Sequence, residues 1–93
     1  MNELQRRFFT CLAEIQEKCV AKCMIEYGVS DEKLKKMLYD VTYENTTAIM
    51  ELIDGYSSFG SDRHDIVNTV TKKGLKEEPF IELHDKTEDY LKY

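Results

Sequence analysis

"YGVSDE", residues 27–32, holds the end of one helix and the start of the next. Gly28 can take the left-handed conformation that closes a helix, because it carries no Cβ to clash there. Val29 would then fold back on Met24, the apolar contact that accompanies a Schellman turn. Ser30 can cap the following helix, and Asp31 and Glu32 suit its positive N-terminal end. A link this short makes the two flanking helices antiparallel neighbours. Upstream, Asn2 to Tyr27 has neither proline nor glycine and repeats its apolar residues at helical spacing, so a helix is expected over 2–27. Downstream, a second helix is expected over 31–54 or slightly longer, with Gly55 as its terminator.

The rest of the chain is shorter-ranged. After the loop "YSSFGSD" (56–62), Ile66, Val67, Thr69, Val70 and Thr71 form a β-branched run. It reads as an extended or hairpin segment over 65–77, turning at Lys72-Lys73-Gly74, with a helical turn from Ser61 to Thr71 as the alternative. Pro79 suits the first turn of a final helix over 80–91, whose apolar side is Phe80, Leu83, His84, Thr87 and Leu91. The fold class is therefore mainly α. A single domain, 1–93, is built from a long antiparallel helical hairpin and a C-terminal helix, with a short extended segment before the latter.

A chain of 93 residues is near the small end of what folds alone, burying roughly 60–65% of its unfolded surface, so a dimer would add stability. The formal charge is −5, and between Glu77 and Tyr93 six acids stand against only Lys86 and Lys92. An acidic chain with no basic stripe is not built to bind nucleic-acid phosphates. No stretch approaches the roughly 20 apolar residues of a membrane span. Arg6-Arg7-Phe8-Phe9 is followed by Glu14, Glu17 and Lys18 where an export signal needs an apolar run. Three cysteines, an odd number, suit a reducing compartment, so the protein is expected in the cytoplasm.

On a helical projection, Leu4, Phe8, Leu12 and Ile15 fall at about 40°, 80°, 120° and 60°, and Cys11, Cys19 and Cys23 at about 20°, 100° and 140°. The cysteines are thus expected in the apolar seam, as small hydrophobes rather than metal ligands. There is no CxxC pair, and only His64 and His84 are present to complete a site. A further apolar arc of the first helix, Phe9, Ala13, Val20, Met24 and Tyr27, lies near 180–240° by the same rule. One neighbour cannot cover both arcs, so a third helix or a second subunit must.

Two acidic pairs, Glu14-x-x-Glu17 and Glu51-x-x-Asp54, resemble the ExxE…ExxD arrangement of all-α nucleotide pyrophosphatases of the MazG type. The resemblance implies a magnesium-dependent hydrolase whose carboxylates gather the ions between antiparallel helices. By projection Glu14 and Glu17 sit at about 320° and 260°, and Glu51 and Asp54 at about 60° and 0°, away from the expected seams. A solvated face is the reading those angles favour. His64-Asp65 and His84-Asp85 are isolated HD dipeptides, without the further histidines that metal-dependent HD phosphohydrolases need. His84 is expected as a hydrogen-bonded histidine on the apolar side of the last helix.

The second helix carries the most informative pattern. Leu34, Leu38, Val41, Asn45, Ala48, Leu52, Gly55 and Phe59 follow a strict 4-3-4-3 spacing, with Asn45 at an a position. A polar a residue lowers stability but fixes register and partner number, because an unpaired buried amide is expensive. Asn45 is expected to pair across a dimer axis, to bond a neighbouring helix of its own chain, or to face a solvated gap. The interface candidates are Leu38, Val41, Asn45, Ala48 and Leu52. The function read from all this is non-catalytic, with no cofactor and no metal. It is that of a small cytoplasmic adaptor or regulator, a homodimer that recognises another protein and neither nucleic acid nor membrane.

Overall fold

Asn2 starts the first helix, α1 (Glu3–Glu26), with a reciprocal cap. Its side chain accepts the Gln5 backbone N–H at 2.8 Å, and the Gln5 side chain accepts the Asn2 N–H at 2.8 Å. In the computed structural model, which describes residues 1–93, α1 ends at the turn read from the sequence. Gly28 has φ +60°, and the Val29 N–H donates to the Met24 carbonyl at 2.8 Å. The second helix, α2 (Glu32–Asp54), is capped by Asp31 and not by Ser30, since Asp31 Oδ1 accepts the Lys33 N–H at 2.9 Å. Gly55 closes α2 at φ +93°, where an added Cβ would stand 2.8 Å from the Ser61 carbonyl oxygen, so only glycine lets the following loop pass.

The stretch 65–77 forms no strand. Val67 and Gly74 make an isolated antiparallel bridge, and the Leu75 N–H donates to the Ile66 carbonyl at 2.9 Å. The tip lies at Asn68–Lys72, earlier than the Lys72-Lys73-Gly74 turn expected. The Asn68 side chain takes the Val70 and Thr71 N–H groups at 2.9 and 3.0 Å. β-Branched residues need a neighbouring pleated surface to pack on; none is present, and Val70 is 86% exposed.

The final helix, α3 (Leu83–Tyr90), is shorter than the 80–91 expected, and Phe80 lies outside it, exposed. Gln5 explains the late start. Its amide donates to the Leu75 carbonyl at 2.9 Å and the Pro79 carbonyl at 2.7 Å, holding 75–79 in turns against α1.

The core is Phe9, Met50, Leu75, Ile81 and Leu83, all buried. α3 lies across the α1–α2 hairpin. The Thr87 and Thr47 hydroxyls meet at 2.8 Å, and the Phe9 and Tyr90 rings are 5.5 Å apart. The tail that follows α3 is anchored by Gln16, whose amide donates to the Tyr39 and Lys92 carbonyls at 3.2 and 2.7 Å and whose oxygen accepts the Lys92 N–H at 2.8 Å. No helix is long and apolar enough to cross a membrane.

The face α1 buries is only partly the one expected: Leu4, Phe8 and Leu12 pack half-buried against the core, but the fully buried positions lie elsewhere. Gln5, Phe9, Gln16 and Val20 are its buried residues, and they fall at about 140–200°. Ile15, Cys11 and Cys19 are exposed, and Cys23 is half-buried. The seam reading therefore fails for Cys11 and Cys19. Two glutamines, which look outward by type, sit at the centre of the contact because each satisfies remote backbone groups.

Candidate functional site

Contacts around α1 and α2 leave one face of the hairpin uncovered. On α2, Tyr43, Thr47 and Asp54 meet the α3 side through Tyr93, Thr87 and His84. Thr42 meets α1 through Gln16 at 3.0 Å. These α2 positions occupy the arc from about 240° through 0° to 20°, leaving about 100–220° bare. On α1, Phe9, Gln16 and Glu17 meet α2, α3 and the tail at about 160–260°, and Leu4 and Phe8 pack against the core at about 40° and 80°, so the 20–100° arc is bare only further along the helix, at Ile15 and Cys19. Both bare stretches lie away from the residues that meet α3.

The α2 ladder occupies that bare arc. Val41 is 59% and Leu52 39% exposed, Asn45 and Ala48 are exposed, and Leu38 is half-buried. Met37 and Ile49 flank them and are about half exposed. The Asn45 amide bonds to no other group in the chain, so the intrachain partner considered from the sequence does not exist. On α1, Ile15 is 62% exposed between Cys11 and Cys19. Because Cys19 is exposed, Cys19→Ala is expected to change stability by no more than about 0.5 kcal/mol. Thiol reagent should label Cys11 and Cys19 rapidly in the folded protein. Slow labelling that appears only on unfolding would contradict this exposure.

The four acids of the pyrophosphatase-like pattern are not gathered within the chain. Glu14 is exposed. Glu17 takes the Lys92 ammonium at 2.8 Å and the Tyr39 hydroxyl at 2.8 Å, and these two bonds hold its carboxyl below the usual range. Glu51 is half-buried, one turn before Asp54. Glu17 faces Tyr39, and Asp54 lies fifteen residues further along α2, about 22 Å at 1.5 Å per residue. No single ion bridges that gap.

Asp54 does not lie on a solvated face. It is 2% exposed and joins three elements. Lys76, itself buried, places its ammonium 2.6 Å from Asp54 Oδ1. The His84 backbone N–H and ring Nδ1 lie 2.9 and 2.7 Å from Asp54 Oδ2. Burial pushes the Asp54 carboxyl up, but the bonds from Lys76 and His84 outweigh it and hold the carboxyl below its ordinary range. Burial likewise pushes His84 down, and the Asp54 bond with nearby Asp85 pulls it above its ordinary value. Asp85 Oδ1 lies 3.2 Å from Nε2, so each ring nitrogen faces a carboxylate that only accepts, and imidazolium satisfies both.

Asp54, Glu82 and His84 also form a set of metal-ligating atoms within 4.8 Å of one another. Here the Lys76 ammonium already neutralises Asp54, and the ring nitrogen nearest the carboxylates is spent on Asp54. The chemistry on display is that of a structural clamp joining α2, the 75–79 turns and α3. Lys76, Gln5 and Gln16 had no local signal in the sequence, since their partners lie far away along the chain.

No protein family, curated protein or solved structure matches this chain.

Proposed function

We propose that this protein is a small cytoplasmic adaptor or regulator that works by protein–protein interaction, assembling as a homodimer through the uncovered α1–α2 face. The observation that carries the reading is the α2 ladder, apolar at heptad spacing and exposed from Val41 to Leu52. α2, about 35 Å long, and the second half of α1, each about 10 Å wide, present on the order of 500 Å². That is the size of the smaller, transient interfaces, below the roughly 800 Å² per partner of a standard one. Asn45 lies in the middle of the ladder, with its amide free of bonds. Across a two-fold axis it would meet its own mate in one register only.

Light scattering should find a dimer that Val41→Glu converts to a monomer without unfolding it, since Val41 is already exposed. Asn45→Leu should raise the melting temperature of the dimer and admit mixed or higher oligomers, because the penalty against wrong registers disappears. A wild type that stays monomeric at high concentration would defeat the dimer and leave the face for a different partner.

A further inference from the structure

A groove of about 330 Å³ runs between the N-terminal half of α1 and the 66–75 loop. It lies at the low end of the size range of small-ligand sites, matched to one slender molecule and not to a large cofactor. Its floor is Leu4, Phe8, Ile66, Val67 and Leu75, with Cys11 at one edge. Arg7 and Lys73 stand on its rim, and Asn68 completes the polar lining. No carboxylate lines this groove. Neither Arg7 nor Lys73 takes part in an ion pair, whereas Lys22, Lys36, Lys76 and Lys92 each do. The Asn68 oxygen is spent on the loop tip, which leaves its amide N–H groups as further donors. In an acidic chain, this groove therefore pairs an apolar floor with an all-donor rim. Glu3, Glu77 and Glu78 line an adjoining cleft that shares Leu4, Arg7, Asn68 and Lys73 with the groove.

We propose that this groove binds a medium-chain fatty carboxylate, with its chain on the floor and its head group between Arg7 and Lys73. An apolar tail gains by leaving water for Phe8, Ile66 and Val67, all at least partly exposed. A carboxylate gains charge-assisted hydrogen bonds from guanidinium and ammonium that have no partner to give up. A neutral chain would forfeit the second term, and a cationic chain would be repelled by the rim. The groove contains no residue of the α2 ladder and meets the uncovered face only at Cys11, so a monomeric protein would still carry it.

Decanoate, below the concentration at which it forms micelles, is the probe, with decanol and decyltrimethylammonium as neutral and cationic counterparts. Calorimetry should show one saturable decanoate site per chain, at least tenfold tighter than either counterpart. Arg7→Gln combined with Lys73→Gln should weaken decanoate at least tenfold while leaving the melt unchanged, because both residues are exposed. In protein carrying Cys19→Ser and Cys23→Ser, bound decanoate should slow labelling of Cys11, which places the ligand in this groove. Absence of saturable binding overturns the proposal. So does equal or tighter binding of the cationic chain, or decanoate binding that leaves Cys11 labelling and the double variant's affinity unaltered.

Discussion

Asp54→Ala is expected to destabilise the protein by about 3–5 kcal/mol, the cost of leaving one partner of a buried ion pair uncompensated. The residue lost bonds both the 75–79 turns, through Lys76, and α3, through His84, from the end of α2. Lys76 would keep an ammonium away from water, and the His84 backbone N–H would lose its acceptor. Lys76→Met added to Asp54→Ala should recover part of the loss, because the orphaned charge is then removed. Urea unfolding of the four proteins measures the cycle. An Asp54→Ala protein as stable as wild type would mean the clamp contributes nothing.

The same cluster sets a pH window. His84 is held above its ordinary 6.5, so its contribution is complete below that value and is lost as pH rises through the higher folded value. Asp54 is held below its ordinary 3.8, so its contribution is complete above that value and is lost as pH falls through the lower folded value. Stability should therefore peak at mildly acid pH, between the two ordinary values, and decline on either side. In His84→Gln the decline on the alkaline side should flatten. A wild type whose urea midpoint does not fall between mildly acid and alkaline pH would contradict the assignment.

Phe9→Ala is expected to cost about 3–5 kcal/mol, as for large aromatic truncations in a core. Phe9 is fully buried in the main cluster and packs on Tyr90 and Phe8. α3 has only eight residues, too few for a helix to persist alone, so it depends on that packing. Loss of Phe9 should therefore release α3 before the hairpin melts. Amide exchange should show Thr87 to Tyr90 losing protection ahead of α2. If α3 and α2 exchange together, the domain is a single cooperative unit and this ordering is wrong.

Local chemistry determined the hairpin. Gly28 and Gly55 each stop a helix with a left-handed residue, and Val29 returns to Met24, all within a few residues of the signals that announce them. Such turns are legible because every atom involved is close in sequence. The 4-3 spacing of Leu38, Val41, Asn45, Ala48 and Leu52 likewise marked one face of α2 from sequence alone, as did the two apolar arcs of α1. Which arc would be covered was decided by tertiary structure. The arc of Phe9 and Val20 is fully buried, with Phe9 against Tyr90 of α3, because Gln5 and Gln16 hold the carbonyls of Leu75, Pro79 and Lys92 there. The other arc is half-covered at Leu4, Phe8 and Leu12 and bare at Ile15, Cys11 and Cys19. A glutamine counts as polar in any periodicity, and only the position of its distant partner makes it an interior residue. Asp54 was misplaced for the same reason. Its burial depends on Lys76 and His84, twenty-two and thirty residues away, and an ion pair across that distance leaves no pattern in the chain.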